Sequence, residues 1–143
     1  MISIILTGHG SFAEGLFSAS KLITGVCDAV SCVTFPESDS TDDLRAKLKA
    51  AIDASGGEVL VLADVAGGSP FKEAVLLRAA MPERRIEVVS GVNLPLVIAA
   101  LLEREGETLD SLIPGLLEGG KFAVRQYVPA APAPAPAEDG DGI

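Results

Sequence analysis

The chain is poor in aromatic residues: tryptophan is absent, and phenylalanine and tyrosine together make up 4% of 143 residues. A domain of this length still needs a sizeable buried core. Because 48% of the residues are hydrophobic, that core has to be built from valine, isoleucine, leucine and alanine. The composition therefore favours one globular domain with an aliphatic core.

Positive charge is also scarce. The 11 lysines and arginines are outnumbered by 20 aspartates and glutamates, which leaves a net charge of −9. Binding to nucleic acid depends on clustered lysine and arginine that neutralise phosphates, and no such cluster is present. We therefore expect no nucleic-acid partner.

Cysteine motifs and long apolar runs are missing as well. Cys27 and Cys32 fit neither a metal-binding spacing nor a CxxC motif. The longest apolar run, Leu94 to Leu102, contains Pro95 and is too short to span a bilayer. The first residues carry no basic region of the kind that begins a signal peptide. We therefore expect a cytoplasmic protein.

What the sequence does contain is a regular alternation of aliphatic runs with helical patterns. The predicted strands are residues 2–7, 30–35, 58–63 and 86–90. Such alternation is typical of a parallel sheet with helices on both faces, joined by right-handed crossovers. We predict an α/β fold: a flavodoxin-like, doubly wound sheet with strand order 2-1-3-4.

The first two helices have recognisable start signals. Ser11 followed by Glu14, and Ser40 followed by Asp43, both have the pattern of a capping box. The first helix should end near Gly25. Its spacing predicts an apolar face made of Leu16, Ala19, Leu22 and Ile23.

The C-terminal part holds further predictions. An amphipathic segment, Leu109–Leu117, leads through a pair of glycines into a last strand, Lys121–Val128. Residues 129–143 are an Ala-Pro repeat with an acidic end, which is typical of an extended linker. We therefore expect a domain over residues 1–128 and a linker or tail over 129–143.

The predicted topology indicates where a site should lie. In an open parallel sheet, ligands bind beyond the carboxyl ends of the strands, at the point where the strand order reverses. With strand one beside strand three, two loops flank that crevice. The first contains His9, the only histidine of the chain, and the second begins with Asp64.

A histidine beside an aspartate is suited to nucleophilic chemistry. A carboxylate bound to one ring nitrogen of His9 fixes the tautomer and leaves the other nitrogen free to attack. The flanking residues, Gly8 and Gly10, leave the imidazole accessible. A lone histidine in a loop is more commonly an ordinary surface residue. The convergence with Asp64 is what favours a functional role.

The second loop has the features of an anion site. Gly67, Gly68 and Ser69 precede a helix, whose N-terminal amides and dipole favour the negative charge of a phosphoryl group. Glycines before a helix are also typical of simple loop punctuation. The hydroxyls of Thr7 and Ser69 are candidate phosphoryl ligands or partners of the local backbone. Asn93 is expected to be structural.

At these residues the chain resembles the IIA domain of the mannose-type bacterial phosphotransferase system (PTS). The resemblance extends over residues 1–128, and its motifs follow predicted strands one, three and four. They are Gly8-His9-Gly10 with Phe12-Ala13-x-Gly15, Asp64-x-x-Gly67-Gly68-Ser69-Pro70-Phe71, and Gly91-Val92-Asn93-Leu94-Pro95. Together these motifs are specific, whereas each alone is weak. Lys72 departs from the asparagine that many members carry there, which leaves the site residues untouched.

The resemblance implies a phosphotransferase that acts as a phosphocarrier in sugar uptake. His9 is then the phosphorylated nucleophile, acting through Nε2, and Asp64 holds Nδ1–H. The implied donor is the carrier HPr, and the implied acceptor is a mannose-type EIIB subunit. Contact with the membrane is indirect, through permease subunits, and no metal or cofactor is implied. A homodimer that exchanges the last strand is implied too, which would cover an unpaired sheet edge.

Two other classes of protein lack their essential residues here. A response-regulator receiver needs an acidic pair after strand one. A histidine phosphatase needs an arginine before its histidine and a second histidine, whereas Gly8 precedes His9 and no other histidine exists. Two variants of the phosphocarrier remain open: a regulatory carrier, and the phosphoryl donor subunit of a dihydroxyacetone kinase.

Overall fold

The computed structural model describes residues 1–131. In this range strands and helices alternate, and two further helices complete the fold. The elements are β1 (Ser3–His9), α1 (Phe12–Thr24), β2 (Val30–Phe35), α2 (Thr41–Ala54), β3 (Val59–Ala63), α3 (Ser69–Ala80), β4 (Ile86–Val89), α4 (Leu94–Glu103) and α5 (Leu109–Phe122). Across the same residues, every helix is too short or too polar to cross a membrane.

The strands form a parallel sheet in the order β2-β1-β3-β4, which confirms the predicted flavodoxin-like topology. The central strand is β1, where Leu6 pairs with Cys32 on one side and with Leu62 on the other. β3 and all of β1 except its last residue are buried. β3 is aliphatic along its length, and β1 is aliphatic from Ile4 to Leu6, because helices cover both faces of these strands.

Side-chain alternation along the central strands divides the core into two layers. Ile4 and Leu6 lie in the layer closed by α1, α4 and α5. Ile5 lies in the layer closed by α2 and α3, where it joins the fully buried Leu48. Burying a side chain of this size stabilises the fold by about 1.5–3 kcal/mol. Packing on both sides therefore holds the carboxyl ends of the strands in place.

Of the two predicted capping boxes, one is confirmed and one is wrong. The Ser40 hydroxyl accepts from the Asp43 amide, and the Asp43 carboxylate accepts from the Ser40 amide. Ser11 precedes α1 without a side-chain cap, at φ −98° and ψ 18°. Gly10 exchanges backbone hydrogen bonds with Phe35, so the chain enters α1 from an anchored loop. Ser11 thus lacks the extended backbone that turns a capping hydroxyl toward the helix.

The predicted apolar face of α1 is wrong at Leu22 and Ile23 but right at Leu16, which packs against the core. Leu22 is 88% exposed, and Ile23 is exposed too. The buried residues of this helix are Ala13 and Ser20, seven residues apart on one face, with Leu16 partly buried between them. α1 contacts α4, and Ala13 lies in the core layer that α4 also closes. The predicted C-terminus at Gly25 is confirmed.

The C-terminal segment differs from the predicted strand. Lys121 belongs to α5, which continues through the glycine pair to Phe122, and residues 124–131 form no strand in the described chain. Gly120 explains the longer helix, because it lies close against Leu96 of α4 and its carbonyl accepts from the Asn93 side chain. The predicted linker, residues 129–143, lies outside the described residues from position 132 onward.

Candidate active site

His9 and Asp64 lie together at the carboxyl edge of the sheet. His9 is the last residue of β1, and Asp64 follows directly after β3. The two strands are parallel neighbours, with Thr7 paired to Ala63. Two residues that end adjacent parallel strands necessarily emerge at the same edge. This edge is the switch point of the strand order, where the topology predicts a site.

The Asp64 carboxylate binds His9 at two points. Oδ2 lies 2.7 Å from Nδ1 of the imidazole and accepts from the His9 backbone amide at 2.9 Å. Oδ1 accepts from the Val65 amide at 2.8 Å. An ionised carboxylate only accepts hydrogen bonds, so Nδ1 carries the proton in a neutral imidazole and Nε2 carries the lone pair.

Asp64 is held in its ionised form. Its partial burial raises the pKa of the carboxyl group, but the hydrogen bonds from the His9 amide, the His9 ring and the Val65 amide lower it by more. The net result is a pKa below the ordinary value for aspartate. A carboxylate that accepts several amide hydrogen bonds is stabilised in this way. The negative charge beside Nδ1 is therefore present at neutral pH.

The two side chains differ strongly in their access to solvent. The His9 side chain is 51% exposed, whereas that of Asp64 is 11% exposed. The imidazole thus faces outward with the carboxylate behind it. The imidazole packs against the Phe35 ring in a T-shaped arrangement, with ring centroids 5.9 Å apart and planes at 63°. This arrangement leaves an oriented imidazole accessible from solvent.

The loop after Asp64 brings a helix N-terminus to the ring. Gly68 lies against the imidazole: a Cβ atom at this position would be 2.7 Å from Cε1 of His9. α3 begins at Ser69, and its first backbone hydrogen bond runs from the Lys72 amide to the Gly68 carbonyl. The backbone amides of Ser69 and Phe71 therefore have no hydrogen-bond acceptor within the helix. Such amides favour an anion.

Two other candidate residues have structural roles. Thr7 is fully buried, and its hydroxyl donates to the Val33 carbonyl at 2.9 Å. The suggestion that Thr7 binds a phosphoryl group is therefore wrong, because its hydroxyl is used within the sheet. Asn93 caps α4 by accepting from the Leu96 amide, as its predicted structural role requires. Ser69 remains at the site as the first residue of α3.

Sequence reasoning missed Phe35, which forms part of the site. A usable signal existed: Phe35 ends β2, the other neighbour of β1, and is the register partner of His9.

Metal binding is a separate question, which the positions of the candidate ligand side chains address. Among residues 1–131, no three histidine, cysteine, aspartate or glutamate side chains are grouped so as to hold a metal ion.

An accessible histidine on a largely buried carboxylate, at the switch point of a flavodoxin-like sheet, defines a site suited to transient nucleophilic chemistry. The family model EIIA-man, described as the PTS system fructose IIA component, matches residues 3–116. The chain belongs to this family, the mannose-type EIIA components of the phosphotransferase system. The sequence resemblance is thereby confirmed.

Individual relatives agree with this assignment. The chain is 33% identical over 118 residues to the fructose-specific EIIA component of Bacillus subtilis (strain 168), covering 81% of this chain and 80% of that protein. It is 32% identical over 145 residues to the mannose-specific EIIAB component of Escherichia coli (strain K12), covering 95% of this chain and 44% of that protein. The chain thus spans less than half the length of the EIIAB relative.

A solved structure extends the comparison to the backbone. The mannose/sorbose specific IIA subunit from Enterococcus faecalis superposes with a TM-score of 0.83 at 30% sequence identity. The superposition covers 92% of this chain and 98% of that one. The likeness therefore extends over nearly the whole domain.

Proposed function

We propose that this chain is a phosphocarrier in which His9 accepts a phosphoryl group from phosphorylated HPr and passes it to a mannose-type EIIB partner for sugar uptake. The observation that carries the proposal is the His9–Asp64 pair: the imidazole is bound at Nδ1 and half exposed. Membership of the EIIA family supports the same chemistry.

The transfer is a displacement at phosphorus between two imidazoles. The Nε2 lone pair of His9 attacks the phosphorus of the donor phosphohistidine and forms a new N–P bond. The donor N–P bond breaks, and its electron pair returns to the donor ring nitrogen. The Nδ1 proton of His9 stays in place throughout, so the His9 ring gains positive charge. Asp64 stabilises that charge at 2.7 Å, and the step needs no metal or cofactor.

The transferred group would rest on the loop that leads into α3. The oxygens of the phosphoryl group carry negative charge. The backbone of Gly67, Gly68 and Ser69 leads into the N-terminus of α3. The helix dipole contributes about 0.3–1 kcal/mol toward an anion at this position. The Ser69 hydroxyl is the side-chain donor of the proposed phosphoryl site. Positioning and electrostatics are what such a transfer chiefly requires.

The proposed partners follow from the exposure of His9 and from the relatives. A ring that is 51% exposed can meet the histidine of another protein directly. The name of the E. coli relative joins an EIIA to an EIIB component, which supports EIIB as the acceptor. These partners would place the protein in the cytoplasm, in contact with the membrane only through permease subunits.

We further propose that the chain forms a homodimer through its C-terminal segment, residues 124–128. In the sheet of the described residues, β4 pairs with β3 on one side and is open on the other. The segment exposes Val124, Tyr127 and Val128, each more than 70% accessible. Open strand edges are commonly covered by another strand. A partner subunit would supply that strand.

The test is phosphorylation of the purified chain with phosphoenolpyruvate, enzyme I and HPr. Wild type should take up label in an acid-labile form, as phosphohistidine is. The matched variant is His9→Gln, which leaves the chain without histidine and should take up none. Circular dichroism should show that the variant is folded. Labelling of His9→Gln would contradict the proposal.

A second arm of the same experiment tests the acceptor. When a mannose-type EIIB is added to the labelled chain, the label should move to EIIB. Retention of label in the presence of EIIB, with transfer to a dihydroxyacetone kinase instead, would contradict the transport role. Retention of the label in the presence of either acceptor would contradict both transfer roles and favour the regulatory carrier.

A further inference from the structure

The imidazole of His9 is packed directly on the backbone of Gly68. A Cβ atom at residue 68 would lie 2.7 Å from Cε1 and 3.5 Å from Nε2 of His9. Non-bonded carbon atoms approach optimally at about 3.5–4.0 Å, so the first of these contacts is impossible without movement. Any residue other than glycine at position 68 must displace the ring or the loop.

The backbone itself does not require glycine at this position. Gly68 has φ −74° and ψ 163°, an extended conformation that other residues adopt readily. Its neighbour Gly67 is different, because its φ of +79° is unfavourable for residues with a side chain. Gly68 is also the N-cap of α3, where serine, aspartate or asparagine would be at least as favourable. The packed imidazole is therefore the local reason for glycine.

Displacement of the ring would disturb its hydrogen bond. Cε1 is covalently bonded to both Nδ1 and Nε2, so a shift of Cε1 moves both nitrogens. The Nδ1 contact to Asp64 is 2.7 Å long and leaves little tolerance. The Phe35 ring adjoins the imidazole as well and limits the directions open to it. A side chain at residue 68 would thus shift the ring relative to its carboxylate and disturb the geometry of that hydrogen bond.

On the basis of the phosphohistidine relay proposed above, we propose that Gly68 is a positioning residue for that transfer. The missing side chain lets the His9 imidazole lie on the loop with Nδ1 bound to Asp64 and Nε2 directed at the partner. Gly68 acts through the placement of the ring. Misplacement of reacting atoms by about 1 Å can cost on the order of 100-fold in rate.

The test compares Gly68→Ala with Gly15→Ala. Gly15 lies in α1, and a Cβ there would have no heavy atom within 4 Å apart from its chain neighbours and the backbone of its own helix. The control therefore adds the same methyl group in open space. We expect Gly68→Ala to take label from phosphorylated HPr about 10- to 100-fold more slowly than wild type. Gly15→Ala should match wild type. Equal rates for Gly68→Ala and wild type would overturn the proposal.

Nitrogen NMR of the unphosphorylated chain supplies a readout that is independent of transfer. With a single histidine, the imidazole signals need no assignment. Wild type should show one tautomer with the proton on Nδ1, and Gly68→Ala a mixture. Unchanged nitrogen shifts in Gly68→Ala would count against the proposal. If wild type took up no label while this shift change occurred, the relay would fail and the ring contact would stand.

Two further measurements separate the His9 contact from other effects. A Cβ at residue 68 would also lie 3.2 Å from Cγ2 of Val65. The double variant Gly68→Ala with Val65→Ala removes that second contact, and it should stay slow; recovery of the rate would overturn the proposal. If Gly68→Ala does not fold, the wild-type Overhauser effect between Gly68 Hα and His9 Hε1 decides. Its presence supports the contact, and its absence refutes it.

Discussion

Nδ1 of His9 lies 2.7 Å from Oδ2 of Asp64, although 55 positions separate the two residues in the chain. The contact follows from the pairing of β1 with β3, which places the ends of both strands at one edge. The same carboxylate oxygen also accepts from the His9 amide. Backbone and ring of one residue are thus bound by a single group, which fixes the orientation of the imidazole.

Replacing Asp64 by asparagine should slow phosphorylation of His9 by roughly 100-fold or more, since losing the correct tautomer costs up to about 10⁴-fold in other histidine–aspartate pairs. An amide can donate to Nδ1, which favours the proton on Nε2 and removes the attacking lone pair. The measurement is the initial rate of labelling from phosphorylated HPr. Asp53→Asn is the control, because Asp53 pairs with Lys49 on the exposed face of α2. An unaltered rate in Asp64→Asn would reduce Asp64 to a structural role.

The Asp64 carboxyl group should titrate below 3.8, its ordinary pKa, because the hydrogen bonds from His9 and Val65 outweigh the effect of burial. A pKa that is lower in the folded than in the unfolded chain means that ionised Asp64 stabilises the fold above its unfolded pKa. That contribution disappears as the pH falls through the lowered folded pKa. Carbon-13 NMR of the carboxyl group measures the midpoint directly. A midpoint above 3.8 would refute this account.

Ser40→Ala should lower the free energy of unfolding by about 1 kcal/mol, because it removes a hydroxyl that caps the Asp43 amide. Ser11→Ala is the matched control: Ser11 also precedes a helix but makes no capping hydrogen bond. Its effect should stay within about 0.5 kcal/mol. Urea denaturation of both variants gives the comparison. Equal losses of unfolding free energy in the two variants would show that the capping hydrogen bond of Ser40 adds no stability.

Leu48→Ala should lower the free energy of unfolding by about 2–5 kcal/mol. Leu48 is fully buried between α2 and the sheet, so its truncation leaves a cavity. Leu22→Ala makes the same chemical change at a side chain that is 88% exposed. We expect less than about 0.5 kcal/mol there. Thermal and urea unfolding measure both. A large loss in Leu22→Ala would show that this face of α1 is covered in solution.

Wild type should sediment as a dimer, and the double variant Val124→Asp, Val128→Asp should weaken that dimer by at least about 100-fold. Two apolar side chains that are exposed in the single chain would each lose about 1.5 kcal/mol or more of interface burial. Analytical ultracentrifugation over a range of concentrations measures the change. Leu22→Asp, on α1, should leave the dimer intact. A monomeric wild type would refute the proposed dimer.

The sequence predicted the sheet well because the signal for a buried parallel strand is local. Each strand is a short aliphatic run, and the strand order follows from general rules of connection. His9 and Asp64 were predicted for the same reason, since each lies within two residues of the end of such a run. The cap of α2 could also be found, because Ser40 and Asp43 lie three residues apart and complete their hydrogen bonds with each other.

The errors all depended on contacts between distant parts of the chain. Ser11 looks like a cap, but the bridge between Gly10 and Phe35 sets its backbone. The face of α1 that is buried depends on where α4 packs, and apolar residues alone do not show that small Ser20 faces inward. Thr7 reaches the carbonyl of Val33 only because β2 pairs beside β1. These contacts join residues that are far apart in the sequence, so local sequence patterns do not reveal them.

The two strands that carry His9 and Asp64 are also the two central strands of the sheet. Separating them would break the ladder in the middle of the core, so it requires an opening as costly as global unfolding, unlike the fraying of a terminus or a loop. Amides of β1 and β3 should accordingly be among the slowest to exchange with solvent. His9 and Asp64 thus stay adjacent for the lifetime of the fold, and in the proposed relay an incoming carrier would meet the pair already assembled, with no rearrangement of the sheet at each encounter.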